Sequence, residues 1–388
     1  MKGYLMTNLP PTDSSVNENV STCSSENKNS APENNPLELK ENGTSQKKLE
    51  EYRQSRPEQI ALFALTKADE RAYSNSIEFY DAIPKYLWAK QTKKENLRLL
   101  KRSFIHKGFD YEVSIQPATI EDKNGNFKTC FPGEREELVE DALRKLACEG
   151  KAIFLDDSAA VMFTLYEIEQ ELKRMGHWHN KEQIKEAIMV CNKSNIEVKT
   201  KDGKGVMGAS FFVSVGLQTQ EDWKGHGKKT QAFIIFNPLV TKSIKEKTFR
   251  LLNYDKSMAY KRTLARWFHK RLSHNYIQAA QNSPYGIKVS TIIRDSGMKQ
   301  YKNICNNIYR VQDALNEMKE KEVIEKYESI NIFEGRKIVD AKFSIVPHPS
   351  FIAEVKFANK QFYNLRPEEQ KREIEQHLKT IKGSLFKK

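Results

Sequence analysis

From Glu134 onward the hydrophobic positions switch between two periods, and the switches come in the same order twice. "EREELVEDALRKLACEG" places Leu138, Val139, Ala142 and Leu146 at three- and four-residue steps, the period of one buried helix stripe, and Gly150 supplies a stop. "KAIFL" is a short apolar run of strand length. In "TLYEIEQELKRMG", Thr164 and Glu167 stand at capping-box spacing at the start of a stripe made by Leu165, Ile168, Leu172 and Met175, and Gly176 ends it. Asn180 then caps "KEQIKEAIMVCNK", and "NIEVKTKDGKGVMGASFFVSV" reads as a hairpin turning near Asp202-Gly203.

Downstream the same order returns with different residues. "SMAYKRTLARWFHKRLSHNYIQAA" predicts a helix with Leu264, Trp267, Phe268 and Leu272 inward, "GIKVS" a short strand, and "STIIRDSG" a short helix ended by Gly297. "MKQYKNICNNIYRVQDALNEM" predicts a long helix from Lys299, with Tyr301, Ile304, Cys305, Ile308, Val311, Leu315 and Met318 on its buried stripe. "EVIEKYESINIFEGRKIVDAKFSIV" predicts a hairpin with Glu334, Gly335, Arg336 and Lys337 at its tip. Helix, strand, helix-turn-helix and β-hairpin in that order make a winged helix. The expected fold class is therefore α+β, with two tandem winged-helix domains at 134–245 and 246–350. Residues 55–133 read as a strand-rich accessory region of the first domain, with a hairpin signal at Asn124-Gly125, and 351–388 as a C-terminal helical tail.

Composition changes this picture at the two ends of the charge scale. Residues 1–54 hold six Lys/Arg against eight Asp/Glu, are rich in Ser, Asn, Thr and Pro, and carry almost no aromatics, which predicts a disordered, mildly acidic tail. The whole chain is nevertheless at +13, and between Lys256 and Gln312 eleven Lys/Arg face a single acid, Asp295. A field of one sign attracts polyanions. By contrast the helix-turn-helix of the first unit, Phe163 to Ser194, balances five acids with five bases, so a DNA contact and a subunit or domain contact both stay open for it. The five cysteines are far apart with no CxxC pair, which argues against a disulfide framework or zinc ribbon and for a reducing compartment. No window approaches the ~18 apolar residues of a membrane span, and Met1 to Pro10 is too short in apolar residues for a secretory signal. A bacterial cytoplasmic, DNA-associated protein with no membrane contact is expected.

The chemistry of the second helix-turn-helix follows from its polar face. Arg pairs with guanine O6 and N7, Asn or Gln with adenine N6 and N7, and Lys reaches phosphates. Gln300, Asn303, Asn307 and Arg310 are the candidate base readers, with Lys299 and Lys302 nearer the backbone. Arg336 and Lys337 at the hairpin tip are placed for an adjacent groove, and Lys261, Arg262, Arg266, Lys270 and Arg271 for lining phosphates. "QIALF" sets Gln59, Leu62 and Phe63 at the spacing of a sliding-clamp docking peptide, or else simply begins the first core element. "HWH" (His177 to His179) imitates a nuclease metal motif, but the only Tyr-x-x-Lys, Tyr285 to Lys288, lies between Pro284 and Gly286, which disfavour the helix such a nucleophile needs. "GHGKKT" (Gly225 to Thr230) lacks phosphate-loop spacing. No catalytic residue, metal site or cofactor is expected.

With "LARWFHKRLSHNY", "KVSTIIRDSG" and the helix from Lys299 in view, residues 55 to 350 resemble the plasmid replication initiator (Rep) proteins of the theta-replicating, iteron-binding kind. The resemblance implies a second winged unit that makes the main contacts with directly repeated origin sites. The first unit would dimerise or add secondary DNA contacts, A·T-rich DNA would be opened nearby, and the host replicative helicase, with the sliding clamp in some members, would be recruited. A winged-helix transcriptional regulator shares these features, and a rolling-circle nicking endonuclease is the remaining rival.

Overall fold

The computed structural model describes residues 72–88, 99–121, 124–217 and 232–365, all of which belong to one compact unit, Arg53–Lys388. The expectations for residues 1–54, for Gln59, Leu62 and Phe63, and for 225–230 fall outside the described residues. The unit mixes helix and strand around two main hydrophobic cores, which change over between Met258 and Tyr260, with a small third cluster of Ala118, Ile120 and Val190.

The first core starts with β1 (Tyr73–Ser76) and α1 (Glu78–Ala82), followed by β2 (Leu100–His106) and β3 (Phe109–Gln116). Lys107 and Gly108 join these two strands in a two-residue turn, both at positive φ as a hairpin of this length demands. After β4 (Ala118–Glu121) and β5 (Phe127–Cys130) comes α2 (Glu134–Leu146), then β6 (Ala152–Leu155), β7 (Ser158–Phe163), α3 (Leu165–Arg174) and α4 (Lys181–Lys193). Thr164 and Asn180 cap α3 and α4 as their spacing predicts, each side chain accepting from the third backbone N–H after it. β8 (Asn195–Thr200) and β9 (Val206–Ser210) form the expected hairpin, but it does not stand alone. β3 pairs with β8, Val113 opposite Val198, so the sheet order is β2-β3-β8-β9. A second sheet, in order β10-β11-β7-β6, adds β10 (Phe212–Gly216) and β11 (Ala232–Phe236). Then α5 (Pro238–Lys245), β12 (Arg250–Asn253), which pairs with β1, and α6 (Tyr254–Met258) close the core.

The second core is built by α7 (Thr263–Asn275), β13 (Tyr285–Lys288), α8 (Val289–Ser296), α9 (Ile304–Glu320), the hairpin of β14 (Ile324–Glu334) and β15 (Lys337–Pro347), and α10 (Pro349–Asn364). β13 adds to the hairpin in the order β13-β15-β14, with Ile287 opposite Phe343. Phe268, Val311, Leu315 and Phe343 are fully buried between these elements, each contributing ~1.5–3 kcal/mol by leaving water.

Several elements differ from the sequence expectation, and for three the physical reason is plain. The predicted continuous helix of 257–280 is two helices, because Tyr260 is buried and the backbone N–H groups of Lys261 and Arg262 turn to the Glu317 carboxylate on α9, at 2.6 and 3.1 Å. The long helix begins at Ile304 rather than Lys299, capped by Asn303, so residues 298–303 form the turn before it. β7 was not expected at all, since Asp156 and Asp157 make its hairpin turn at positive φ without a glycine.

Candidate nucleic-acid interface

α8 stops at Gly297, whose φ of +68° is the left-handed conformation that glycine adopts without strain. The chain then crosses to α9, and the turn is clamped by one residue. Asn307 accepts from the Tyr301 N–H and donates to the Tyr301 carbonyl, both at 2.9 Å, with its side chain 1% exposed. Asn303 turns its Oδ1 to the Cys305 N–H at 2.9 Å, capping the helix. Arg310 lies with its guanidinium 5.4 Å from the Tyr301 ring and donates to the Lys299 carbonyl at 3.3 Å. Tyr301 was expected on the buried stripe but is partly exposed, and Tyr309 is 64% exposed on the outer face of α9.

Between this turn and the tip of the β14–β15 hairpin runs an open groove of about 560 Å³, lined by Gln300, Tyr301, Lys302, Asn303, Ile304, Cys305 and Asn307 on one wall and Arg336 to Val339 on the other. No lining residue is acidic. Gln300, Lys299 and Lys302 are exposed in the turn, and Arg336 and Lys337 are exposed at the hairpin tip. Most of the expected readers and the expected tip cations thus meet in one place. Asn307 is the correction, since both ends of its amide are spent on the backbone.

The five cations expected along the preceding helix divide sharply. Lys261 is exposed, and Arg262 is half-exposed between Asp313 (3.4 Å) and Glu317 (4.0 Å). Arg271 pairs with Asp295 at 3.1 Å and donates to the Tyr285 hydroxyl. Arg266 and Lys270 cannot line phosphates here, because they point into the interior between the two cores. Arg266 is fully buried with Glu134 and Glu137 at 3.3 and 3.7 Å, and Lys270 meets Asp141 at 2.7 Å and Glu137 at 3.3 Å, all on α2. Burial alone would lower the Lys270 amine, but Asp141 and Glu137 together with Asp81 hold it above its usual value. A buried cation needs partners to offset lost hydration, and α2 supplies them from more than a hundred residues away.

His177 donates from Nε2 to the Met258 carbonyl at 2.7 Å, and burial lowers both His177 and His179. Tyr285 sits at the start of a strand. Among the described residues no group of three or more His, Cys, Asp or Glu could hold a metal ion, and no helix is long and apolar enough to cross a membrane.

No protein-family model matches the chain, and no curated protein matches it by sequence. Among solved structures it is similar to a selenomethionine crystal structure of domains 2 and 3 of RctB, at 11% identity and a TM-score of 0.44 over 70% of this chain and 98% of that one. A second crystal structure of RctB domains 2–3 gives 11% identity and a TM-score of 0.41 over 72% and 99%. The Pi initiator protein in complex with iteron DNA gives 13% identity and a TM-score of 0.37, over 55% of this chain and 94% of that one.

Proposed function

We propose that the chain is a double-stranded DNA-binding replication initiator of a plasmid, built from two tandem winged-helix units and reading directly repeated origin sites. The observation that supports this most is the acid-free groove between the turn ahead of α9 and the hairpin tip. In the winged-helix reading α9 enters the major groove, where Gln300, Asn303 and Arg310 face base edges. Lys299, Lys302, Arg336, Lys337 and Lys261 contact phosphates and supply affinity that falls as salt rises. The protein binds and does not cut. It opens the origin nearby and brings in the host helicase, with Gln59, Leu62 and Phe63 reaching the sliding clamp and the first unit joining two copies.

The test is DNase I footprinting of the purified protein on the DNA flanking its own gene, at near-physiological salt with excess nonspecific competitor. Evenly spaced protected direct repeats are the expected result. A single symmetric footprint at a promoter would replace the initiator with a transcriptional regulator, and no protection would reduce the basic face to a nonspecific polyanion surface. Nicking of supercoiled DNA with Mg²⁺ or Mn²⁺, lost on Tyr285→Phe, would overturn the non-enzymatic reading.

A further inference from the structure

The tip of the β14–β15 hairpin carries something that phosphate binding does not need. Phe333 is 59% exposed and Ile330 68% exposed on β14, an edge strand of its sheet among the described residues. A long edge strand with exposed apolar residues invites pairing, and of the two only Phe333 turns toward the groove, since Ile330 lies opposite Lys342 on the other face.

The register says which way Phe333 faces. Asn331 lies opposite the buried Ala341, and Ser329 opposite the buried Phe343, so these positions belong to the face that covers the second core. A bulge shifts the pairing between Ile332 and Phe333, and Phe333 then lies opposite Ile338, a wall residue of the acid-free groove. Phe333 therefore continues the inner face of the hairpin beyond the end of the core. Its near neighbours in the register are Glu334 and Lys337, with Gly335 at φ +61° and Arg336 making the turn.

Resting on the DNA-binding reading above, we propose that Phe333 is an apolar wedge, pressed by the hairpin into the minor groove and partly unstacking one base step, while Arg336 and Lys337 hold the flanking phosphates. Continuity with the cationic groove selects DNA as the occupant over a second copy of the chain. Apolar side chains inserted between base steps from the minor groove unstack and kink the duplex, and the lost stacking is offset by closer contact along the bent DNA.

The experiment uses the full chain and a 30-base-pair duplex holding one footprinted repeat, with 2-aminopurine substituted in turn at each adenine. Wild-type protein is expected to raise the fluorescence at one step beside the hairpin. Phe333→Ala is expected to remove that rise and lower affinity by about tenfold with an unchanged salt slope, since no phosphate contact is lost. Arg336→Ala should keep the fluorescence rise and make the salt slope shallower by about one. Phe333→Trp, which keeps the apolar bulk, should retain the rise. The wedge is overturned if no position responds to wild-type protein, or if Phe333→Ala binds and unstacks like wild type. It is equally overturned if the variant changes only the oligomeric state in sedimentation, which would make a second copy the occupant. Absence of any repeat for wild-type protein to bind sinks the DNA reading itself, before any Phe333 variant is made.

Discussion

Asn307 and Asn303 look alike in the sequence, two asparagines on one polar helix face, yet they answer to different demands. Asn307 is nearly inaccessible and bonds both backbone groups of Tyr301, whereas Asn303 is exposed and caps α9. Asn307→Ala removes both partners of the part-buried Tyr301 N–H and C=O and should cost ~2 kcal/mol in urea unfolding, with loss of DNA binding as the turn shifts. Asn303→Ala should cost only ~1 kcal/mol, the usual value of a cap. Equal losses for the two would show that the Asn307 clamp has no special weight. Arg310 and Lys261 part in a different way. Arg310 borders the turn beside Tyr301, while Lys261 is exposed at the start of the second core. Arg310→Ala should lose ~1–3 kcal/mol on a cognate repeat and little on random DNA, if it meets a guanine. Lys261→Ala should weaken all sequences alike, and identical behaviour of the two variants in competition binding would erase the division between readers and phosphate contacts.

How far each segment could be read in advance depended on whether its determinants were local. α3 and α4 carry their stripes and caps within their own residues, and α8 its stripe and glycine stop, and they lie where spacing predicts. The tip of the β14–β15 hairpin was equally legible, because Glu334-Gly335-Arg336-Lys337 is a local turn signal. The start of α7 was not, because the two N–H groups just ahead of it, of Lys261 and Arg262, are held by Glu317, which lies far along the chain on another helix. The β6–β7 hairpin was hidden for a different reason, since two aspartates adopt the positive φ that pattern reading assigns to Gly or Asn. Gly297 joins both kinds of determinant. Its left-handed φ was legible as a helix stop, but a Cβ there would also stand 2.6 Å from Nη1 of Arg102. That guanidinium donates to the carbonyls of Pro84 and Tyr86 at 2.7 Å each and cannot yield freely. Gly297→Ala should therefore cost more than the ~1–2 kcal/mol of backbone strain alone and weaken DNA binding by tilting α9. A melting temperature equal to that of wild type would show that the turn can relax around the methyl group.

The two cores meet partly across charge, with Trp88 packed against both. Arg144 on α2 bridges Asp81 and Glu140 at 2.8 and 3.0 Å, while Lys270 and Arg266 reach from α7 into the carboxylates of the same helix. Sequence reading assigns Arg266 and Lys270 to DNA phosphates because their carboxylate partners are brought up only by the fold. Next to this network two histidines are buried neutral. The Ser76 hydroxyl donates to Asp81, an acceptor-only carboxylate, so it must accept from Nε2–H of His274, which fixes the neutral tautomer. Burial pushes His274 down to about 4 against the pull of Asp81 and Glu78, and pushes His269, packed on the Tyr260 and Phe351 rings, down to about 3. The unfolded chain takes up a proton on each near pH 6.5, whereas the folded chain does not until far lower pH. Stability from this source is therefore complete above about pH 6.5 and is lost as pH falls, by ~2 kcal/mol per histidine at pH 5. Asp81 cannot cause a loss in that range, since Arg144 and Lys85 overcome its burial and hold its carboxyl well below the usual value, so it stays ionised. His269→Phe keeps the ring and its packing but removes one titration. Between pH 7 and 5 the variant's melting temperature should fall less steeply than that of wild type, and parallel slopes would place the acid sensitivity elsewhere in the chain.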